Sequence, residues 1–401
     1  MPNVRSRADA CPGALRTHDA ADGPLARIRV PGGAVTSAQL RTLGDAARGL
    51  GRDVIELTSR GNLQLRGVHD PAALAERLES AGLLPSPSHE RVRNIVASPL
   101  GGRGEHGTLA TDPLVTALDR ALCANPRLAD LPGRFLFALD DGTGDVAALD
   151  ADVTLTPTGL LFAGSRLSFP IGTEPLSPPA GGPAPGGKTS RATVQESAAA
   201  FSGDGEGGVH GVPLLAAAAE AFLDVGEDAW RLAEVPDGVR LIAGRLGASK
   251  EETAADPEPR PPYAGVVRQR DGLVSLEIVP PLGRMSGAQA EALAEVADDV
   301  RVTPWRSAVL RDLTWENAST IAETLDGAGF AVDAASPWVG VSACTGSPGC
   351  AKSRGDVQGE ARRWVGGLER APETPVHWAG CERRCGMPRG PVVLRMAEEQ
   401  G

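Results

Sequence analysis

Four of the six cysteines lie in two short, glycine-containing stretches near the C-terminal end of the chain. Cys344 and Cys350 stand in ACTGSPGCAKSRGD, with five residues between them, and Cys381 and Cys385 stand in HWAGCERRCGMPRG, with three. A four-iron cluster needs thiolates that converge, and backbone amides near its sulfurs help to set its potential. Structural zinc is the rival interpretation, but its paired ligands are commonly spaced by two to four residues. The spacing favours an iron–sulfur site over zinc and over unligated buried thiols.

The composition limits which classes of protein this chain can be. A net charge of −11 over 401 residues argues against nucleic-acid binding, which needs clustered basic surface to neutralise phosphates. The sequence has no run of about 18 apolar residues, and its first residues lack the apolar core of a signal peptide. We therefore expect a cytoplasmic protein without membrane contact, whose clustered cysteines are ligands or redox groups rather than disulfides. Cys11 and Cys123 stand alone and are interpreted as bystanders.

The elements that must position the cysteines follow an internal repeat. The stretch ARIRVPGGAVTSAQLRTLGDAARGLGRDVIELTSRGNLQLRGV predicts strand, turn, helix, strand, tight turn and strand, with Thr36 or Ser37 as the helix cap. The same order returns about 250 residues later in GLVSLEIVPPLGRMSGAQAEALAEVADDVRVTPWRSAVLRDL. Related segments follow the two copies, RNIVASPLGG and WVGVSACTGS, and only the second carries cysteines. Two similar α+β halves are predicted, with the metal-like motif confined to the second.

The C-x5-C pattern, the later G-C-x3-C pattern and the upstream LTSRGNLQLRG together resemble the nitrite and sulfite reductase superfamily. The likeness spans residues 24–165 and 262–396. It implies a duplicated α+β fold, with two ferredoxin-like half-domains and two α/β cluster-type domains related by pseudo-two-fold symmetry, and a tetrapyrrole site between the halves. The predicted divisions are a disordered N-terminal tail (1–23), a first half-domain (24–90), a first reductase-like domain without the cysteine motif (91–250) and with a proline- and glycine-rich insertion (173–211), a second half-domain (262–335) and a [4Fe–4S]-binding domain (336–401).

Carried over residue by residue, the resemblance implies roles for two sets of side chains. The ligands of the [4Fe–4S] cluster would be Cys344, Cys350, Cys381 and Cys385, with Cys385 facing the active-site metal or tetrapyrrole. The anion-binding arginines would be Arg60, Arg93 and Arg134. Guanidinium groups bind carboxylates as a bidentate fork, so converging arginines suit an acidic substrate. The alternative for each arginine is an ordinary surface position.

Two positions depart from the pattern of the sulfite-reducing members. Leu136 stands where those members have a second basic residue, and Gly61 replaces a glutamine. These changes weaken the prediction of a clamp for a small oxyanion and of haem-type contacts. The sequence also has no flavin- or nicotinamide-binding fingerprint, so the electrons are expected from an external donor.

Three further stretches, LPGRFLFALDDGTGDV, VTPWR and VHWAGCERRCG, are similar to the precorrin-3B synthase family within this superfamily. That resemblance implies a [4Fe–4S] cluster, a mononuclear non-haem iron, and the use of dioxygen to hydroxylate the tetrapyrrole precorrin-3A at C20 with formation of a γ-lactone. The tetrapyrrole would then be the substrate. Asp140, Asp141 and Asp145 could position substrate amides, bind metal or simply close a tight loop, and the loop is favoured. The histidines show no pattern that identifies iron ligands, and His377 stays unassigned.

Three other functions stay open on the sequence. A sirohaem-dependent sulfite or nitrite reductase shares the cysteines, and only this alternative requires sirohaem. A non-catalytic iron–sulfur electron carrier would not need a duplicated scaffold with converging arginines. A zinc-stabilised binding module is the simplest alternative, and zinc without iron in the purified protein would favour it.

Overall fold

The computed structural model describes residues 9, 11–164, 167–170, 211–247, 252–253 and 260–397. The insertion predicted at 173–211 lies outside these ranges up to residue 210. The helices are α1 Ser37–Leu50, α2 Pro71–Ser80, α3 Thr111–Ala124, α4 Gly211–Val225, α5 Gly238–Arg245, α6 Gly287–Val296, α7 Trp315–Gly327 and α8 Val357–Val365. The strands are β1 His18–Ala20, β2 Gly23–Ile28, β3 Ala34–Thr36, β4 Ile55–Leu57, β5 Leu63–Leu65, β6 Ile95–Ala97, β7 Phe137–Leu139, β8 Val153–Thr156, β9 Gly159–Phe162, β10 Leu167–Pro170, β11 Glu252–Thr253, β12 Gly265–Arg268, β13 Val274–Ile278, β14 Arg284–Met285, β15 Asp299–Val302, β16 Ala308–Leu313, β17 Val341–Ala343, β18 Val376–Ala379 and β19 Val393–Met396. None of the helices in the described ranges has the length and apolar character needed to cross a membrane.

Two five-stranded antiparallel sheets join the halves by exchanging one strand. The first sheet has the order β1-β2-β5-β4-β14 and the second has the order β12-β13-β16-β15-β3. By sequence β3 belongs to the first half, yet it pairs with β15, while β14 belongs to the second half and pairs with β4. Each half therefore completes the sheet of the other, which is the pseudo-two-fold relation expected from the repeat.

The first helices of the two halves, α1 and α6, pack against each other at a pair of glycines. A Cβ built on Gly44 would lie 3.0 Å from the Gly287 carbonyl oxygen, and one built on Gly287 would lie 2.7 Å from the Gly44 carbonyl oxygen. Both helices begin with a capping box, and Thr36 rather than Ser37 caps α1. Local hydrogen bonds thus fix both helix starts, and the glycines allow the halves to approach closely around one shared apolar core.

Two α/β units flank the paired sheets, each with its own core. The first is a sheet in the order β11-β10-β9-β8-β7-β6, in which β6, β7 and β8 run parallel. The second consists of the parallel strands β17, β18 and β19 and packs against α8. These units match the predicted pair of cluster-type domains, and only the second carries the cysteine motif.

The N-terminal region differs from the disordered tail predicted for residues 1–23. Residues 11–23 are described, β1 pairs with β2, and Ala14 is buried in the shared core. The Glu90 carboxylate accepts hydrogen bonds from the backbone N–H groups of Ala14 (2.6 Å) and Leu15 (2.7 Å). Composition could not indicate this order, because the acceptor lies 75 to 76 residues away in sequence.

Candidate metal centre and anion-binding site

The cysteine loops begin at the carboxyl ends of two neighbouring parallel strands. Cys344 directly follows β17, and Cys381 follows β18 after one glycine. The Cys344 N–H donates to the Trp378 carbonyl (2.9 Å), and the Gly380 N–H donates to the Cys344 sulfur (3.2 Å). Because β17 and β18 are parallel and adjacent, both loops leave the sheet at the same edge. The fold therefore brings the two cysteine pairs together.

The two cysteine loops meet at the hydrogen bond from the Gly380 N–H to the Cys344 sulfur. The cysteines are free thiols, three of them partly buried and Cys385 exposed. Burial raises the pKa of the Cys385 thiol, and the charges of Cys344, Cys381 and Cys350 raise it further. The direction of this pKa shift agrees with the hydrogen bond that joins the two loops. The role of these cysteines as ligands stays a prediction, and the loops lie where that role requires them.

The spacing of the sulfurs suits a cluster better than a single metal ion. A zinc ion with four thiolates at about 2.3 Å would hold its sulfurs about 3.8 Å apart. Among the described residues, three or more possible ligand atoms lie within 4.8 Å of one another at Asp140, Asp141 and Asp145. No three cysteine sulfurs of the described residues lie this close together. A [4Fe–4S] cubane binds its four thiolates on different irons and so spreads them over a larger volume. The donor set therefore fits a four-iron cluster.

Side chains from both halves hold the first cysteine loop. The Gln358 amide nitrogen, on α8, donates to the carbonyls of Cys344 (3.2 Å) and Thr345 (3.1 Å). The Gln358 amide oxygen accepts a hydrogen bond from Arg284 (2.6 Å). Arg284 comes from the second half and also pairs with Glu56 of the first half. The loop backbone is therefore fixed by residues that the sequence alone does not place near it.

The other end of that loop is held from the first half. Arg66 forms a bidentate ion pair with Asp22, with both hydrogen bonds at 2.8 Å, and donates to the Gly349 carbonyl (2.8 Å), next to Cys350. The Arg66 guanidinium also lies 3.7 Å from the Glu56 carboxylate. Glu56 is thus the acidic residue through which both arginine supports of the loop are connected.

A row of polar side chains crosses the first sheet and ends at Arg284, which helps to hold the first cysteine loop. Arg27, Gln64, Glu56 and Arg284 stand opposite one another on β2, β5, β4 and β14. Arg27 donates to the Gln64 amide oxygen (3.0 Å), Gln64 donates to Glu56, and Arg284 donates to Glu56. Strand alternation explains the row, because neighbours such as Ile28 on the other face fill the core.

Arg60 lies among three other arginines, and we call the set Arg27, Arg29, Arg60 and Arg231 the arginine group. Burial, together with the charges of Arg231 and Arg27, lowers the pKa of Arg60 to about 10. Burial, together with the charges of Arg27 and Arg60, also lowers the pKa of Arg29 to about 10, although Cys11 acts in the opposite direction. A bound anion would relieve the repulsion among these positive charges, which lie in a partly buried site.

Several donors of the arginine group have no partner. Arg27 Nε and Arg29 Nη1 are buried and make no hydrogen bond, and Arg29 is only 2% exposed. Within the described part of the chain, the Arg60 side chain makes no hydrogen bond or ion pair either. Unpaired guanidinium donors match the oxygens of carboxylates and similar anions. The arginine group is therefore a candidate anion-binding site.

Cys11, interpreted as a bystander, lies beside the arginine group. Its sulfur donates to the Gly133 carbonyl (3.2 Å) and accepts a hydrogen bond from Arg29 (3.3 Å), with Arg27 Nη1 at 3.6 Å. Strand alternation in β2 could have identified Arg27 and Arg29 as a pair on one face. Nothing in the sequence indicates Arg231, which reaches the group from a distant segment and pairs with Asp152 (2.7 Å).

The other two predicted arginines have different surroundings. Arg134 stacks on the Trp230 ring, with its guanidinium carbon 4.6 Å from the ring centroid, and its side chain is 52% exposed. Trp230 precedes Arg231, so Arg134 lies next to the arginine group. Arg93 instead forms a bidentate ion pair with Asp119 (2.6 and 2.8 Å). Arg93 is 5% exposed, and it would have to give up this pair to bind a substrate carboxylate.

Leu136 and the aspartate loop are both accounted for by packing. Leu136 is 3% exposed and belongs to a small apolar cluster against which Trp305 packs. The Asp140 carboxylate accepts hydrogen bonds from four backbone N–H groups between residues 142 and 147. The Asp140 carboxylate thus closes its own loop. Among the described residues, Asp140, Asp141 and Asp145 lie close enough together to hold a metal ion, but no histidine belongs to this group.

Sequence reasoning missed Arg306 and left His377 unassigned. Arg306 Nη2 donates to the carbonyl of Gly386 (2.9 Å), the residue after Cys385. His377 is fully buried on β18, with Nδ1 2.9 Å from the Ser342 hydroxyl. Burial and, to a smaller extent, the nearby Arg306 charge lower the pKa of His377 to about 4. The ring is therefore neutral at physiological pH and stands behind the second cysteine loop.

Comparisons with known proteins agree with this geometry. The nitrite/sulfite reductase ferredoxin-like half domain matches residues 18–80 and again residues 267–328. The solved structure of the Mycobacterium tuberculosis NirA protein is similar, with a TM-score of 0.66 and 22% identity, over 90% of this chain and 69% of that chain. This chain therefore has a nitrite/sulfite reductase-like fold with duplicated ferredoxin-like half-domains, and the predicted fold class is confirmed.

Two named relatives show how far the likeness extends. Sulfite reductase (ferredoxin) 2 of Mycolicibacterium paratuberculosis is 25% identical over 395 residues, which cover 90% of this chain and 67% of the relative. Precorrin-3B synthase of a Sinorhizobium species is 25% identical over 397 residues, which cover 96% of this chain and 79% of the relative. One of these relatives is thus named as a sulfite reductase and the other as a precorrin-3B synthase, at the same identity to this chain.

Proposed function

Because the chain has a nitrite/sulfite reductase-like fold, we propose that it is an iron–sulfur oxidoreductase with the activity of a precorrin-3B synthase. In this proposal it hydroxylates precorrin-3A at C20 and forms the γ-lactone. One oxygen atom of dioxygen enters the product, and the other leaves as water with electrons and protons supplied through an external reductant. The relative of that name matches a larger share of this chain than the sulfite reductase does, 96% against 90%.

The observation that carries the proposal is the set of unpaired donors in the arginine group, on Arg27, Arg29 and Arg60. A partly buried cation without an acidic partner is costly, and an anionic ligand removes that cost. Arg60, Arg27 and Arg29 offer unused donors close together, which suits a substrate with several carboxylates. Acetate and propionate side chains make precorrin-3A such a substrate.

The side chain at position 136 counts against a clamp for a small oxyanion. In this chain Leu136 is buried with Val96, Ala138 and other apolar residues, and Trp305 packs against them. A clamp for sulfite would need a second cation in this place, and Leu136 supplies none.

The cysteine site supplies the redox part of the proposal. Cys344, Cys350, Cys381 and Cys385 would hold a [4Fe–4S] cluster, which transfers single electrons when bound. Gln358 and Arg66 fix the first loop, so the thiols are held in position before the metal binds. For the mononuclear iron implied by the resemblance, the described residues show no set of two histidines and a carboxylate at ligand distance, and no step is assigned to it.

Electrons are proposed to come from a separate donor protein in the cytoplasm. Cys385 is exposed, and the adjacent Arg383 and Arg384 are exposed as well. Cationic side chains beside an exposed redox site favour encounter with an acidic donor.

The test is a single-turnover reaction. The protein is loaded with iron and sulfide under anaerobic conditions, mixed with precorrin-3A and a chemical reductant, and then exposed to oxygen. Mass spectrometry should find a product that has gained one oxygen atom and carries a lactone. Unchanged precorrin-3A from a fully loaded protein would refute the proposal.

A sirohaem-dependent sulfite or nitrite reductase is the second candidate, because several similar proteins are named as sulfite or nitrite reductases and the fold is shared. The visible spectrum separates the two functions. Bound sirohaem gives intense visible bands, whereas an iron–sulfur cluster alone gives a broad brown shoulder. Intense sirohaem bands together with sulfite-dependent oxidation of a reduced dye would favour the reductase.

A further inference from the structure

The turn that carries Arg306 repeats a turn of the first half. In the first half the Thr58 N–H donates to the Asn62 carbonyl (2.9 Å), and the Gly61 N–H donates to the Thr58 carbonyl (3.1 Å). In the second half the Thr303 N–H donates to the Ser307 carbonyl (2.9 Å), and the Arg306 N–H donates to the Thr303 carbonyl (3.0 Å). Arg306 therefore takes the place of a glycine.

The backbone at this place favours glycine. Gly61 has a φ of +62°, and Arg306 has a φ of +64°. This left-handed region is strained for a residue with a long side chain. A residue kept in a strained conformation is a reason to ask what its side chain does.

Two glycines leave room for the Arg306 side chain on its way to the second cysteine loop. A Cβ built on Gly283 would lie 2.7 Å from Arg306 Cδ, and one built on Gly386 would lie 2.3 Å from Arg306 Nη2. The guanidinium then donates to the Gly386 carbonyl (2.9 Å), directly after Cys385. The local shape is therefore built around this arginine.

The charge of Arg306 has no acidic partner of its own. Within the described ranges, no carboxylate lies at ion-pair distance from it. Against the larger effect of burial, the Glu56 carboxylate acts to raise the pKa of Arg306, but it already pairs with Arg284 and lies 3.7 Å from Arg66. Burial lowers the pKa of Arg306, yet a guanidinium stays charged in proteins.

We propose that Arg306 is a positioning residue for the cysteine site, which holds the Cys385 loop through the Gly386 carbonyl and places a buried positive charge beside that loop. The inference rests on the [4Fe–4S] cluster of the proposed function. Net charge and hydrogen bonding around a cluster set its reduction potential. A cation next to the site stabilises the more negative, reduced form, so its removal makes the cluster harder to reduce.

The test compares three variants of the cluster-loaded protein by potentiometric titration followed with electron paramagnetic resonance. Arg306→Gly removes the side chain and relieves the strained backbone, so the fold should be retained. At a fixed potential we expect the ratio of reduced to oxidised cluster to fall about tenfold, which equals 59 mV for a one-electron couple. Arg306→Lys keeps the charge and should recover most of the wild-type ratio.

Arg384→Gly is the matched control. Arg384 lies in the same cysteine loop and also has a positive φ, of +47°, but its side chain is 47% exposed. Solvent screens an exposed charge, so this variant should shift the ratio by less than about twofold. Equal shifts in Arg306→Gly and Arg384→Gly, or no shift in either, would overturn the assignment of the charge role to Arg306.

A second readout uses the metal-free protein. Without the hydrogen bond to Gly386, the Cys385 loop should be freer, and alkylation of Cys385 by iodoacetamide should be several-fold faster in Arg306→Gly than in wild type. An unchanged alkylation rate overturns the positioning role. A wild-type protein that binds no cluster would instead refute the proposed function, and the alkylation result still decides whether Arg306 holds the loop.

Discussion

The two halves of this protein carry equivalent loops at the ends of equivalent strands. In the first half, the Ser98 N–H donates to the Leu139 carbonyl (3.0 Å), and the Asp141 N–H donates to the Ser98 hydroxyl (3.1 Å). In the second half, the Cys344 N–H donates to the Trp378 carbonyl (2.9 Å), and the Gly380 N–H donates to the Cys344 sulfur (3.2 Å). The hydroxyl of Ser98 thus lies where the other half has the thiol of Cys344.

The two loops differ in which groups make their hydrogen bonds and which atoms stay available to bind a ligand. In the first half, Asp140 accepts four backbone hydrogen bonds and Asp145 accepts one from Ser98 (2.5 Å), so the carboxylates close the loop on themselves. In the second half, glycines and thiols leave the sulfur atoms available to an external group. One backbone arrangement therefore serves as a structural closure in one copy and as a candidate metal centre in the other.

Exchanging Cys344 and Ser98, which occupy equivalent positions, tests this difference and is expected to change iron binding the most. We expect Cys344→Ser to lose most of the bound iron and all measurable activity, because a [4Fe–4S] cluster needs four thiolates. The converse variant, Ser98→Cys, should bind no additional iron, since the carboxylates around it are already engaged. Iron and acid-labile sulfide assays check both variants. Extra iron in Ser98→Cys would show that the loops differ less than proposed.

The arginines of the first half allow the next test. Arg60→Ala should lower kcat/KM for the tetrapyrrole by roughly 10- to 100-fold, because hydrogen bonds to charged groups contribute about 1.5–3 kcal/mol. The melting temperature should not fall, since Arg60 has no partner to lose within the described residues. The control is Arg245→Ala, which removes an exposed ion pair with Asp224. Equal kinetic effects in both variants would argue against the arginine group as the anion site.

Arg93 sharpens the contrast between a binding arginine and a structural one. Arg93→Ala leaves Asp119 without its bidentate partner and should lower the free energy of unfolding by about 1–3 kcal/mol. Denaturant unfolding measures this loss, against a change below about 0.5 kcal/mol for the exposed pair removed in Arg245→Ala. A stable Arg93→Ala protein with a raised KM would restore the substrate-binding role predicted from the sequence.

The smallest expected effect concerns the pH dependence of the closed loop. Burial raises the pKa of Asp145 from 3.8 to about 7. Between these values the unfolded chain releases the Asp145 proton while the folded protein keeps it, so stability is full below about pH 4 and falls as the pH rises to about 7. Asp145→Asn should remove this part of the slope in thermal melts recorded from pH 5 to pH 8. An unchanged slope would show that Asp145 is not the group responsible.

Local patterns in the sequence were sufficient for much of the fold. Apolar spacing identified α1, and the two capping boxes depend on residues three positions apart, so both are legible without the tertiary structure. Alternation identified the strands on either side of the Arg60 turn, and the repeat implied two related halves. The tight pairs of cysteines likewise suggested a shared metal group, because ligand spacing within a loop is a local property.

The sequence by itself determined the elements, the duplication and the residue types of the candidate site. Only the tertiary structure decided which strands are exchanged, that Ala14 and Leu15 bind Glu90, that Arg93 pairs with Asp119, and that Arg306 reaches the second cysteine loop. The physical reason is that ion pairs and buried hydrogen bonds join groups tens to hundreds of residues apart. Periodicity describes which face a side chain takes, and only packing decides which partner it finds there.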